Sequence, residues 1–104
     1  MIFNFTLGLH KSNTENVKVI RREDVRGIVI SNDKILMVHS NKGDYKLPGG
    51  GINTRESHEE ALMREIREET GYIMDKALNK IGIVTQRNID KYERDSIFEM
   101  TSYY

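Results

Sequence analysis

The chain has 104 residues, of which 38% are hydrophobic, and its 16 basic residues balance 16 acidic ones. A chain of this length can build one modest core, so we expect a single domain over residues 1–104. The balanced charge indicates neither nucleic acid nor a membrane surface as a partner, and the lack of cysteine excludes disulfides and thiolate metal sites. A cysteine-free chain without a long apolar run suits the cytoplasm, where we expect this protein.

The N-terminal part predicts short strands separated by polar segments. Met1–Leu9 alternates loosely between apolar and polar residues, which is typical of an edge strand or of a poorly ordered arm. His10–Asn16 predicts a loop, Val17–Ile20 a short strand, and the charged Arg21–Asp24 a break. We expect no signal peptide, because the opening residues are too polar.

Two turns are predicted next. Val25–Ile30 and Lys34–His39 are apolar runs joined by Ser31–Asp33, whose residues favour turns, so we predict a β-hairpin. Asn41–Asp44 predicts a second turn, and Tyr45–Leu47 a short strand that leads into a glycine-rich segment.

This segment, Leu47–Ile52, places three consecutive glycines after a proline. Proline ends a regular strand, and glycine permits positive φ and a close approach of the backbone. Backbone N–H groups freed in such a turn can face phosphate oxygens. Three glycines alone fit an ordinary tight turn better, so the assignment depends on the residues that come after them in the chain.

A helix is predicted over Ser57–Thr70. Ser57 and Glu60 fit a capping box at its start, and Gly71 fits a left-handed stop at its end. At about 100° per residue, the apolar stripe of this helix consists of Leu62, Ile66 and Ile73.

Three glutamates of the helix lie at positions i, i+3 and i+4, namely Glu65, Glu68 and Glu69. Their Cβ atoms are expected about 5–6 Å apart, where each pair repels by on the order of 3 kcal/mol. A cation between them would relieve this repulsion, and oxygen ligands without Cys or His favour Mg²⁺ or Mn²⁺. The alternative is a solvated acidic face that pairs with Arg64 and Arg67.

Beyond the helix the sequence predicts two more strands. Ala77–Thr85 alternates apolar residues on one face, Arg87–Asp95 predicts a loop, and Ile97–Tyr104 is rich in strand formers. Strands, one helix and more strands predict an α+β fold, with the helix packed on a mixed sheet.

The glycine segment and the helix together carry a recognisable spacing. Gly50 is followed after five residues by Glu56, and after seven more by the run REIREETGY, Arg64–Tyr72. This pattern resembles the Nudix box of the Nudix (MutT-like) hydrolases at every fixed position. Tyr72 is the one departure, because the family usually has an aliphatic residue there.

The resemblance implies the Nudix fold and Mg²⁺-dependent hydrolysis of a phosphoanhydride in a nucleoside diphosphate linked to another group. A nucleotide-type small molecule is the implied partner, and Mn²⁺ is an alternative metal. Glu65, Glu68 and Glu69 are the implied metal ligands. Glu68 is either a third ligand or the acceptor of the water proton. Arg64 is expected to orient the glutamates by pairing with Glu68 or with Glu56.

Substrate contacts are implied at the backbone of Gly49, Gly50 and Gly51. Tyr45, just before the glycines, either stacks on a base or simply packs. The family does not fix the general base, and the candidates here are Glu93, Glu99 or a segment beyond Tyr104. For Arg26 a solvated strand end is favoured over a phosphate contact, and His39 is expected to be a surface histidine or one with satisfied hydrogen bonds.

Nudix domains usually continue with another strand and a second long helix, whereas this sequence ends at Tyr104 inside a predicted strand. We therefore expect a C-terminally incomplete domain in which Ile97–Tyr104 pairs but leaves one sheet face poorly covered. Such a face favours self-association. The alternative functions are a catalytically silent Nudix-like nucleotide-binding or regulatory domain, and an unrelated α+β domain with an acidic helix.

Overall fold

The computed structural model describes residues 1–9, 17–75, 79–90, 92–93 and 96–104. They fall into two compact units, one made of Met1–Asp24 and Lys80–Tyr103, the other of Val25–Asn79 with Tyr104. Within these ranges no helix has the length and apolar character needed to cross a membrane.

One helix and nine strands are formed by the described residues. The strands are β1 (Phe3–Gly8), β2 (Lys18–Arg26), β3 (Ile30–Ser31), β4 (Lys34–Ile35), β5 (Val38–His39), β6 (Tyr45–Lys46), β7 (Gly49–Gly51), β8 (Gly82–Ile89) and β9 (Ser96–Tyr103), and the helix is α1 (His58–Thr70). The α+β class predicted from the sequence is confirmed.

The first unit is a mixed sheet in which β8 lies between β1 and β9, and β9 borders β2. β1 runs parallel to β8, and β8 runs antiparallel to β9. Phe3 lies opposite Gly82, where an added Cβ would come within 2.1 Å of the phenyl ring. The missing side chain at Gly82 therefore makes room for the ring that anchors β1.

The predicted charged break at Arg21–Asp24 is wrong, because these residues continue β2. Charged side chains of this stretch have partners on β9. The Nε atom of Arg21 lies 3.4 Å from a carboxylate oxygen of Glu99, and the hydroxyl of Tyr103 donates to Glu23, which raises the pKa of Tyr103. Partners across a strand pair stabilise a sheet, so a charged run need not end a strand.

The boundaries predicted for β8 are also wrong. The strand extends to Ile89, into the loop predicted at Arg87–Asp95, and residues 77–78 of the predicted strand lie outside the described ranges. Arg87 is the reason, since it is buried and forms an ion pair with Glu99, its direct partner across the ladder. The polar residue thus joins the sheet through an opposite charge.

Apolar side chains of this sheet remain open to solvent. Phe5 and Leu7, which share a face of β1 with Phe3, are 59% and 50% exposed. On β9 no residue after Ile97 is buried. The incomplete domain with a poorly covered sheet face stays a prediction, and α1 is the one helix among the residues that the structure describes.

The second unit begins with two short hairpins. β3 and β4 are joined by Asn32 and Asp33, whose φ angles of 50° and 62° suit a two-residue turn. The predicted hairpin is confirmed, although its ladder is shorter than predicted. β5 and β6 flank the predicted turn at Asn41–Asp44, which is confirmed as well.

The predicted glycine loop is instead the strand β7, which pairs with the end of β2. Gly49 has a φ of +156°, and a Cβ there would lie 1.9 Å from the carbonyl oxygen of Val25. The close backbone approach expected of these glycines is therefore present, but within a strand pair rather than a turn.

Both predicted ends of α1 are confirmed. The hydroxyl of Ser57 accepts from the Glu60 N–H at 3.0 Å, and the Glu60 carboxylate accepts from the Ser57 N–H at 3.1 Å. Gly71, with a φ of 79°, donates its N–H to the Arg67 carbonyl. Ile66 is buried as predicted, whereas Ile73 is 83% exposed, because the helix ends before it.

Gly49→Ala should lower the free energy of unfolding by about 3 kcal/mol or more, because it adds strain to a clash with backbone. Gly43→Ala is the matched control: its φ is +91° with nothing within 4 Å, so about 1 kcal/mol is expected. Chemical denaturation measures both losses. Equal losses for the two variants would contradict the close packing of β7 on β2.

Candidate functional site

Helix α1 places two of its acids against the glycines of β7. Glu69 accepts a hydrogen bond from the Gly49 N–H at 2.8 Å. Glu65, one helical turn earlier, lies over Gly50, where a Cβ would be 2.6 Å from the carboxyl carbon of Glu65. Consecutive glycines thus meet carboxylates at i and i+4 of the helix, and the missing side chain of Gly50 leaves the space that Glu65 fills.

Arg64 connects the acids of this site. Its Nε and Nη2 atoms donate to the two carboxylate oxygens of Glu56 at 2.7 and 2.9 Å, and Nη2 also donates to the Gly51 carbonyl at 2.9 Å. Its Nη1 atom donates to Glu65 at 2.9 Å and to Glu68 at 3.2 Å. The planar guanidinium therefore joins β7, the loop before α1 and the helix itself.

The charges of this cluster remain unbalanced. The hydrogen bonds from Arg64, with a smaller contribution from the hydrogen bond of the Asn53 N–H, lower the pKa of Glu56 to about 2. In turn, the hydrogen bond to Glu56 and, to a smaller extent, the hydrogen bond to Glu65 raise the pKa of Arg64. Arg64 therefore stays charged, but its single positive charge cannot neutralise the three carboxylates that it contacts, which belong to Glu56, Glu65 and Glu68. The excess negative charge favours a further cation.

The donor chemistry fits a hard divalent ion. One oxygen each of Glu65, Glu68 and Glu69 accepts the bonds given above, and across the described ranges no hydrogen bond reaches the other oxygen. These oxygens could accept Mg²⁺ or Mn²⁺. However, no group of three or more potential ligands is arranged to hold a metal among the described residues. The three-glutamate metal site therefore stays a prediction.

The three glutamates of the helix are bound to different partners. Arg64 holds Glu65 and Glu68, whereas the Gly49 N–H holds Glu69. The cation that the sequence places between the glutamates is thus partly supplied by Arg64 itself.

The two candidate bases are already paired with cations. Glu93 accepts from the Lys18 ammonium at 3.0 Å, which lowers the pKa of Glu93. Glu99 forms ion pairs with Arg21 and Arg87. Both glutamates belong to the first unit, whereas the Arg64 cluster belongs to the second.

The remaining candidates lie on the segment that leads to β7. Tyr45 is 66% exposed, and its ring stacks on His39. Arg26 is half-buried rather than at a solvated strand end, and its Nη1 atom donates to the Leu47 carbonyl at 3.2 Å. The sequence patterns did not indicate the His39–Tyr45 stack, although the turn at residues 41–44 sets a register that makes these residues partners.

A comparison with models of protein families identifies the family of this chain. The model of the NUDIX domain matches residues 21–103. The chain belongs to the Nudix family. The resemblance noted at Gly50–Tyr72 is thereby confirmed over most of the chain.

Curated relatives of this Nudix chain carry two kinds of name. An ADP-ribose pyrophosphatase from Methanocaldococcus jannaschii is 39% identical over 70 residues, which cover 64% of this chain and 41% of the relative. An RNA pyrophosphohydrolase from Ectopseudomonas mendocina is 48% identical over 48 residues, covering 43% and 30%. Another, from Erythrobacter litoralis, is 34% identical over 64 residues, covering 56% and 39%. The chain thus spans less than half the length of these relatives.

The Glu56–Arg64 pair predicts how stability varies with pH. The pKa of Glu56 falls from 4.5 to about 2 on folding, so the stabilisation is complete above pH 4.5 and is lost as the pH falls toward 2. Wild type should therefore unfold at a higher temperature than Glu56→Gln at neutral pH, and the two midpoints should converge below pH 4.5. Calorimetric melts across this range test the prediction, and a pH-independent gap would contradict it.

Proposed function

We propose that this Nudix chain takes part in Mg²⁺-dependent hydrolysis of a phosphoanhydride bond in a nucleoside diphosphate linked to another group. The observation that carries the proposal is the packing of Glu65 and Glu69 on the glycines of β7, with Arg64 as the cation that binds both Glu65 and Glu68. The names of the relatives support it, since both kinds refer to cleavage of a pyrophosphate.

Glu65, Glu68 and Glu69 would hold the metal through the oxygens that Arg64 and Gly49 leave unused. When bound, Mg²⁺ would offset the charge of the phosphate oxygens and lower the pKa of a bound water. The acids need fixed positions for this, because catalysis of phosphoryl transfer depends mainly on positioning and electrostatics. Packing against Gly50 and the bond from Gly49 provide such positions.

Arg64 and Glu56 are positioning residues in this proposal. Glu56 binds the guanidinium through both carboxylate oxygens, which leaves Nη1 directed at Glu65 and Glu68. Glu68, with its side chain 52% exposed, is more open to solvent than Arg64, Glu56 and Glu65 and suits the acceptor of the water proton. The backbone of Gly49, Gly50 and Gly51 would approach the diphosphate, and Tyr45 would contact the substrate nearby.

Glu69→Gln should reduce Mg²⁺-dependent hydrolysis by about a hundredfold or more, because a neutral amide binds Mg²⁺ more weakly than a carboxylate and the metal is what offsets the phosphate charge. The amide oxygen can still accept from Gly49, so the fold should survive. Glu59→Gln, on the exposed first turn of α1, is the matched control and should keep full turnover. Steady-state rates with circular dichroism test both, and unchanged turnover in Glu69→Gln would refute the ligand assignment.

The names of the relatives define a substrate panel. ADP-ribose and a short 5′-triphosphorylated RNA should each be incubated with and without Mg²⁺. We expect cleavage of ADP-ribose that requires the metal, since nothing in the charge balance indicates a nucleic-acid surface. Preferential cleavage of the RNA would instead assign the chain to the second kind of activity.

A catalytically silent nucleotide-binding domain is the alternative function. It predicts that Mg²⁺ and nucleotide bind, as measured by calorimetry, without release of phosphate or nucleoside monophosphate. The set of acids supports the enzyme, because binding alone gives no chemical reason to keep a water-activating group such as Glu68.

A further inference from the structure

A stacked aromatic pair lies on the β5–β6 hairpin. His39 and Tyr45 are direct partners across the ladder. Their ring centroids are 4.5 Å apart, and the ring planes are inclined by only 14°. This separation lies in the range at which aromatic rings attract one another.

The outer face of the Tyr45 ring remains accessible to solvent although the two rings are stacked. The imidazole covers one face of the Tyr45 ring, and yet Tyr45 is 66% exposed, so the opposite face is accessible to solvent. His39 is exposed too. The rings are held before any ligand arrives, because the Ser40 N–H donates to the Asp44 carbonyl at 2.8 Å and closes the turn between them.

The connection from this hairpin to the acids is short and fixed. Tyr45 precedes Gly49 by four residues, which span about 14 Å at most. Arg26 binds the Leu47 carbonyl, and the Gly27 N–H donates to the Pro48 carbonyl at 2.8 Å. The open face of Tyr45 therefore lies at a restricted distance from the strand that holds Glu65 and Glu69. In a nucleotide, likewise, only the ribose and its phosphate ester separate the base from the anhydride.

We propose that His39 and Tyr45 form a stacking platform for the nucleobase of the substrate. Tyr45 offers its open face to the base, and His39 holds the tyrosine ring from behind. The inference rests on the proposed function, which supplies the nucleotide. Every base has a π-face, so the platform favours ligands with a base over base-free diphosphates and discriminates little among bases.

A cross-strand pair that merely stabilises the hairpin is the competing explanation. The test compares ligands with and without a base, namely ADP and inorganic pyrophosphate, bound in the presence of Mg²⁺ and measured by calorimetry. The variants are Tyr45→Ala, Tyr45→Phe, His39→Ala and His39→Phe. Tyr72→Ala is the matched control, because Tyr72 is 61% exposed and belongs to the same unit.

Tyr45→Ala should weaken the binding of ADP about tenfold while leaving that of pyrophosphate within about twofold. Tyr45→Phe should keep the wild-type affinity, because the ring is retained. His39→Ala should weaken ADP by a smaller factor, and His39→Phe should restore it. Wild type should bind ADP, GDP and UDP with similar affinities, and Tyr72→Ala should match wild type.

Three results would overturn the platform. They are unchanged ADP affinity in Tyr45→Ala, an equal loss for ADP and pyrophosphate, and failure of wild type to bind ADP. If Tyr45→Ala does not fold, NMR of wild type decides instead. Saturating AMP should then shift the ring protons of Tyr45 and His39, and unshifted resonances would refute the inference.

The platform and the proposed function can fail separately. Base-dependent binding by a protein that hydrolyses no anhydride would refute the hydrolase and keep the platform. Metal-dependent hydrolysis with unchanged ADP affinity in Tyr45→Ala would refute the platform and keep the hydrolase.

Discussion

The fork of Arg64 is the interaction on which the candidate site depends. A guanidinium is planar and carries five donors, so it can bind Glu56 in a bidentate manner and still reach Glu65 and Gly51. A lysine would offer one charge centre and could not hold these partners in one plane. Because the acids repel one another without a cation, Arg64 makes the acidic helix compatible with close packing on the glycine strand.

Much of the fold could be predicted from local sequence patterns. The capping box at Ser57, the stop at Gly71 and the turn at Asn32–Asp33 depend on residues within a few positions of one another, and all are present. The strand boundaries could not be predicted from such patterns, because they depend on partners that are distant in the sequence. Arg87 joins a strand only because Glu99 lies opposite it, and the residues next to Arg87 in the sequence give no indication of that pairing.

The same distinction between local patterns and distant partners applies to the candidate site. Helical spacing placed the glutamates on one side of α1, and the family resemblance singled out Arg64. Neither indicated that the Gly49 N–H donates to Glu69 or that Glu65 fills the space above Gly50, since both contacts join residues about fifteen to twenty positions apart. The glycines appeared as a turn because three in a row permit many conformations, and only the pairing with β2 selects the extended one.

The contact between Phe3 and Gly82 has a consequence for how this sequence can change. The ring occupies the volume in which any side chain at position 82 would begin, so Gly82 cannot be replaced alone without displacing the ring and the first strand. A substitution to alanine at 82 becomes tolerable only after a smaller residue replaces Phe3. Among orthologues the two positions should therefore covary in size, with bulk on one strand matched by its absence on the other.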